Sequence, residues 1–491
     1  MKKLLALILC PVIVLGISSC GVAREGLIQT KYDLELAMSQ TSSHLEFKVS
    51  DVANENVVEG LGVEWDPNFH MSYNQDKGCN EEDWALIKER AEKLNIQKIR
   101  VWCMPTWYEP EKGVFDFETE RMNAFFQVLD VAEELGIDVN VTLWGCQDWL
   151  AMNNGYWMAP PNDLDTYAEN VVALVRYLTE AKNYTCFKEL TFHNEPDWEF
   201  ICDDTVEDWM QYYFDMCRMV HEKLIAENLR DKVELCLPGI DLEDIGTIEQ
   251  FAEGVNDFAD KFDVHSYNFA AGNYFGEIQN RVNAVTECLS QLPNDMKLTV
   301  SEFGGSAHVN AYNQADIDTY ERGIYYSTIA EAFLSSGVSS MLHWCFFDQY
   351  YNDSGNEQES RMRVGLFKYK DEGWEPRPFY HSWGLIMKYA VEGSEIYPFE
   401  DKTNFVNGVA LKSPEGKWTY LITNNAKRVN SVVKISNPHF EQTQMYAHEY
   451  NPDTVTTSDE LIGSSGIAYS EGSDVYVRMN ANTFVVLTEQ A

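Results

Sequence analysis

Between residues 60 and 391 the chain alternates eight short apolar runs with amphipathic stretches, and that alternation leaves few folds open. The runs start near Leu61, Ile96, Ile137, Glu189, Val233, Phe262, Lys297 and Val338, so successive starts lie 29 to 52 residues apart. Each interval holds one strand and one helix. Strands buried on both faces read as continuous apolar segments, the pattern of a parallel sheet covered by helices. Eight units predict a closed α/β barrel, the (β/α)8 TIM barrel, rather than an open sheet. The intervals carry helix signals as well. Asn80 is a good N-cap before the acidic first turn of Glu81, Glu82 and Asp83, and Trp84, Ile87, Ala91 and Leu94 then fall on one face. The last barrel helix is expected over Phe379–Tyr389.

After residue 391 the texture changes. Short β-rich runs separated by Asn-Asn, Ser-Pro-Glu-Gly and Gly-Ser-Ser-Gly turns predict a small antiparallel β-sandwich over 392–491. Residues 44–49 alternate like a strand, so the segment 21–59 reads as a tether with a possible sandwich strand. At the N-terminus, Lys2 and Lys3 precede the apolar run Leu4 to Gly16, and Ile17-Ser18-Ser19-Cys20-Gly21 resembles a bacterial lipoprotein cleavage box. Residues 1–20 are therefore expected to be a lipoprotein-type signal peptide with Cys20 as the acylated residue. The body would then be extracytoplasmic and meet a membrane only through that lipid. Plain secretion after cleavage near Ala23 is the alternative.

Composition removes whole classes of function. A net charge of −41 argues against nucleic acid, whose binders need a basic patch. Setting aside Cys10 and Cys20, the 11 cysteines leave nine, an odd number without a C-x-x-C, so neither a zinc cage nor a disulfide framework is signalled.

The chemistry is carried by two glutamates that end apolar runs. One closes Leu190-Thr191-Phe192-His193-Asn194-Glu195-Pro196 and the other closes Leu298-Thr299-Val300-Ser301-Glu302-Phe303, 302 − 195 = 107 residues apart. Glycosidic cleavage commonly needs two carboxyl groups flanking one bond. A barrel gathers such residues, because its active sites form at the C-terminal ends of its strands. Those ends supply Glu64, Trp65, Arg100, Trp102, Trp144, Asn194, Glu195, His265, Tyr267, Asn268, Glu302, His343 and Trp344. The set is polar and aromatic where a pure packing barrel would carry Val, Ile and Leu.

On these residues the stretch 60–390 resembles the clan A retaining β-glycosidases, and within it families five and thirty-nine. The resemblance implies that Glu195, in Asn-Glu-Pro, is the general acid/base and that Glu302 is the nucleophile. It also matches Arg100, His265-Ser266-Tyr267 and Trp344 to the clan's substrate-binding positions. Family five usually has a histidine where this chain has Trp144, and the trailing sandwich leans toward family thirty-nine. Asn194 is then expected to bond a sugar 2-hydroxyl, and Trp144 and Trp344 to offer flat faces to a sugar ring. His265 is expected to support by hydrogen bonding, and His193 to be a core residue. Trp102, Trp107, Trp149, Trp157 and Trp198 divide between cleft walls and packing. The acids at 81–83 and 207–208 start helices, and no metal or cofactor is signalled. The implied partner is a carbohydrate substrate. A carbohydrate-binding surface lipoprotein that kept the barrel but lost the chemistry is the rival, and two intact carboxylates argue against it.

Overall fold

The computed structural model describes residues 27–152, 158–242, 244–267, 274–305, 316–351, 360–401 and 403–490. The signal segment with Cys20, and also Trp157 and Asn268, lie outside the described residues. A first strand, β1 (Ser43–Lys48), precedes eight others: β2 (Gly60–Glu64), β3 (Lys98–Cys103), β4 (Asp138–Leu143), β5 (Phe187–Thr191), β6 (Glu234–Asp241), β7 (Lys261–Ser266), β8 (Lys297–Phe303) and β9 (Ser340–His343). Strands β2 to β9 pair in parallel and in order, and β9 returns to β2 to close the barrel. Every residue of β2, β3, β7 and β9 is buried, which is why these segments read as apolar runs.

Local capping starts the helices where the sequence predicts. Asn80 caps Glu81–Lys93 in a reciprocal box, accepting from the Asp83 backbone while the Asp83 carboxylate accepts from the Asn80 N–H at 3.0 Å. The last barrel helix is Pro378–Tyr389, with proline at its first position.

The N-terminal mouth of the barrel is an ionic plug. Lys98 and Lys261 both donate to Glu189 Oε1, at 2.6 and 2.5 Å, and Lys261 also meets Glu59 and Glu234 at 2.9 Å. These side chains line a charged cavity of about 630 Å³, at the opposite mouth from the two catalytic candidates. Burial opposes ionisation of Glu189, but the two lysines outweigh it and hold its pKa down to about 2. A carboxyl depressed in this way stabilises the fold above its unfolded value near ~4.3, and that stability drains away as pH falls toward 2. Glu189→Gln removes the carboxylate that Lys98 and Lys261 share, leaving buried Lys98 without its anion. It should cost about 3–5 kcal/mol in denaturant unfolding at neutral pH, and the deficit should shrink in acid.

A short hairpin, β10 (Gln349–Tyr351) with β11 (Ser360–Met362), follows the barrel. The C-terminal unit contributes β12 (Glu395–Pro398), β13 (Val406–Lys412), β14 (Trp418–Asn424), β15 (Ser431–Ser436), β16 (Met445–Tyr450), β17 (Gly466–Glu471), β18 (Asp474–Met479) and β19 (Thr483–Thr488). They form one sheet with β1, in the order β1-β15-β18-β17-β16-β19-β14-β13-β12. All pairings are antiparallel except β1 with β15. The sheet folds over so that its edges meet: Val49 bridges Phe399, and the rings of Phe47 and Phe399 lie 5.2 Å apart. The unit leans on the barrel helix Tyr320–Ser335, where Tyr320 stacks on Tyr450 at 4.7 Å and Glu331 lies 2.6 Å from the Thr423 hydroxyl.

Candidate active site

The two glutamates reach one place by different backbone devices. Glu195 follows β5 with φ +40° and ψ 59°, a left-handed conformation costly for a side chain of this size. Its N–H donates to the Gly239 carbonyl at 3.1 Å, and it heads the single helical turn Pro196–Glu199. Proline at the first helical position presets that turn. Glu302 depends on a register shift. Val264 pairs with Val300, but His265 pairs with Glu302, so Ser301 is an extra residue in β8. The bulge turns two successive side chains into the barrel. Ser301 Oγ donates to Asp263, and Glu302 accepts from Arg100 and Tyr267.

Arg100 is the electrostatic centre. Its Nη1 donates to Glu302 Oε2 at 2.7 Å and also to Glu64, its Nε donates to Thr142 Oγ1 at 3.0 Å, and its Nη2 donates to Asn194 Oδ1. Burial opposes the guanidinium charge, but Glu64 and Glu302 overcome it and raise the pKa above the usual arginine value. Glu302 thus receives a charged donor on one oxygen and the Tyr267 hydroxyl on the other. Tyr267 stays protonated because burial, and then Glu302, push its pKa well up.

Glu195 sits in different surroundings. Trp198 Nε1 donates to its Oε2 at 2.7 Å, and His265 Nδ1 lies 2.8 Å from its Oε1. Burial raises its pKa to about 7, against smaller opposite effects of Trp198 and Arg100. His265 is held neutral, since burial lowers its pKa more than Glu302 raises it. Single ligand atoms of Glu195, His265 and Glu302 lie within 4.8 Å of one another. Such a trio has the makings of a metal site, but Arg100, 2.7 Å from Glu302, already occupies the place of a cation. Two carboxyls with opposed environments fit an acid and a nucleophile better.

The other sequence candidates take definite places. Asn194 bonds Arg100 through its oxygen and Glu199 through its amide at 3.1 Å, which leaves one amide hydrogen uncommitted by these bonds. Trp344 is half-buried and edge-on to Tyr267 at 6.1 Å. Trp144 is only 9 % exposed and lies edge-on to Trp102 at 4.3 Å. It braces the wall more than it opens a face. Glu199 itself is pushed up to about 9 by burial and then by Glu195. His193 is buried and bonded to the backbone carbonyls of Asn194 and Met158. Three participants had no role assigned from sequence. Glu64 anchors Arg100, Asp263 lies below His265, and Trp198, 61 % exposed, reaches Glu195. For Trp198 a usable signal exists, since three residues on a helical turn bring side chain and cap together.

No protein-family profile matches the chain, and no curated protein matches it in sequence. Solved structures do match. A catalytic domain of glycoside hydrolase family 30 xylanase C from Talaromyces cellulolyticus aligns with a TM-score of 0.65 at 10 % identity, covering 90 % of this chain and 99 % of that one. The fold is shared. A family 51 arabinofuranosidase from Xanthomonas axonopodis pv. citri aligns with a TM-score of 0.64 at 11 % identity, covering 91 % and 100 %. A family 39 β-xylosidase from Caulobacter crescentus aligns with a TM-score of 0.60 at 13 % identity, covering 90 % and 99 %. Coverage near the full length of each means that barrel and C-terminal β unit occur together in all three.

Proposed function

We propose that this protein is a retaining glycoside hydrolase of clan A type, acting on a β-linked oligo- or polysaccharide through a covalent glycosyl-enzyme. One observation carries the reading: carboxylate oxygens of Glu195 and Glu302 approach within 4.8 Å, with burial raising the pKa of Glu195 while Arg100 and Tyr267 donate to Glu302. Retention uses carboxyl groups about 5–5.5 Å apart, whereas inversion needs about 6.5–9.5 Å to admit a water. The glycosidase names of the fold matches support the same class.

In the first step Glu302 attacks the anomeric carbon while Glu195 protonates the departing oxygen. Esterification removes the charge of Glu302, so the Arg100 charge, which lowers the Glu195 pKa, is less neutralised. Glu195 then accepts a proton from the water that hydrolyses the ester. The uncommitted amide hydrogen of Asn194 suits a sugar 2-hydroxyl, and Trp344 offers an indole face to the ring. NMR of the first-formed product from an aryl β-glycoside tests the reading. The expected product keeps the anomeric configuration, and an inverted first product would sink it.

A further inference from the structure

Beneath the catalytic pair lies a chain of hydrogen bonds whose direction can be deduced link by link. The geometry points to Asp263, acting through Ser301 and His265, as a positioning residue that sets the protonation state of Glu195. This rests on Glu195 being the acid of a glycosidase.

Asp263 is fully buried and accepts from the Ser301 N–H at 2.9 Å, the Thr299 hydroxyl at 3.0 Å and the Ser301 hydroxyl. A serine hydroxyl has one hydrogen, and Ser301 has spent it on Asp263. Ser301 Oγ therefore accepts from His265 Nε2, 3.2 Å away. Neutral imidazole with its hydrogen on Nε2 presents a bare lone pair at Nδ1. That lone pair faces Glu195 Oε1 at 2.8 Å, where an ionised carboxylate would oppose it. In this arrangement the proton sits on Glu195 Oε1. Trp198, which can only donate, completes the count at Oε2. With His265 neutral and Asp263 ionised, the hydrogen-bond count makes Glu195 a carboxylic acid, in agreement with its burial-raised pKa of about 7.

The chain also runs in reverse. If Glu195 Oε1 passes its proton to His265 Nδ1, His265 Nε2 passes one to Ser301 Oγ, and Ser301 passes its own to Asp263, every bond is again satisfied. One proton has then moved from Glu195 to Asp263 and one negative charge the other way, with no exchange with solvent. Asp263 can take that proton because burial, the largest influence on it, raises its pKa against His265, Ser301 and Arg100. The titratable neighbours of Asp263 are Arg100 on β3, Cys236 on β6, His265 on β7 and Tyr213 on the helix Trp209–Ala226. Those of Glu195 are Arg100, Asp197, Glu199, His265, Tyr267 and, across His265, Glu302. Gly239 at φ +76° borders the relay. A Cβ there would lie 3.3 Å from Asp263 Oδ2 and 3.5 Å from His265 Nε2.

Asp263→Asn is the test, because an amide donates where the carboxylate accepted. Ser301 should then donate to His265 Nε2, the ring should carry its hydrogen on Nδ1, and Glu195 should be held ionised. Histidine-selective ¹⁵N spectra at pH 6 should report Nε2–H for His265 in the native chain and Nδ1–H in Asp263→Asn. The basic limb of kcat/KM should move down by about one pH unit, a tenfold change in the ionisation of Glu195. Ser301→Ala, which leaves Asp263 two donors, should release the tautomer from control and serves if Asp263→Asn does not fold. An unchanged tautomer in both variants, or Nδ1–H in the native chain, overturns the relay. Tautomer reversal in a chain that cleaves no glycoside upholds the relay and overturns the glycosidase reading instead.

Discussion

Glu302→Ala should abolish turnover, by roughly 10⁵-fold or more in kcat, the scale on which deleting a covalent nucleophile acts. The structure gives Glu302 no second occupation: one oxygen meets Arg100 and the other meets Tyr267, so its charge is aimed and its donors are preorganised. Removing it leaves Arg100 paired with Glu64, and the barrel should still fold. The diagnostic is azide. With an activated aryl glycoside, azide entering the vacated side should yield a glycosyl azide of inverted configuration and should not restore the retained product. Near-native turnover by Glu302→Ala would remove Glu302 from the nucleophile's role.

How far this site could be read in advance follows from which interactions are local. The barrel strands were legible because each is buried on both faces and reads as an apolar run; Met445–Tyr450, Asp474–Met479 and Thr483–Thr488 were legible from alternation between turns. Strand β17 was not. It starts at Gly466 with φ +145° and buries only Ala468 and Ser470, so Gly466–Glu471 merges with the Gly-Ser-Ser-Gly turn before it. The parallel pairing of β1 with β15 joins residues nearly four hundred positions apart, and alternation in 44–49 marks a strand without naming its partner.

The site divides the same way. Arg100, Asn194, Tyr267 and Trp344 surround the glutamates because strand ends converge in any such barrel. The relay below them rests on the extra residue at Ser301, a one-residue shift that sends Ser301 and Glu302 inward together. Nothing in Thr299-Val300-Ser301-Glu302 distinguishes that bulge from a regular strand, in which one of the two would point outward. Trp198 stood undivided among five tryptophans because its role depends on the left-handed turn at Glu195, which aims the indole back at the carboxylate.

Glu195→Ala should separate substrates by their leaving groups. A general acid contributes about 10²–10⁴-fold where the departing oxygen needs a proton, and little where it does not. Cleavage of an unactivated β-glycoside should therefore fall by that range, while release of a dinitrophenolate should change only slightly in the first step. The second step still lacks its base, so a dinitrophenyl burst followed by slow turnover is expected. Azide should speed that slow phase by attacking the glycosyl-enzyme directly, giving a glycosyl azide of retained configuration, the opposite of the Glu302→Ala product. The pH profile supplies an independent check. Burial raises Glu195 to about 7, and the acid works only while protonated, so native kcat/KM should decline as pH rises through about 7. That limb should vanish in Glu195→Ala on the activated substrate. Equal losses on activated and unactivated substrates, with the basic limb intact, would reassign the acid to another of the buried carboxyls around Arg100.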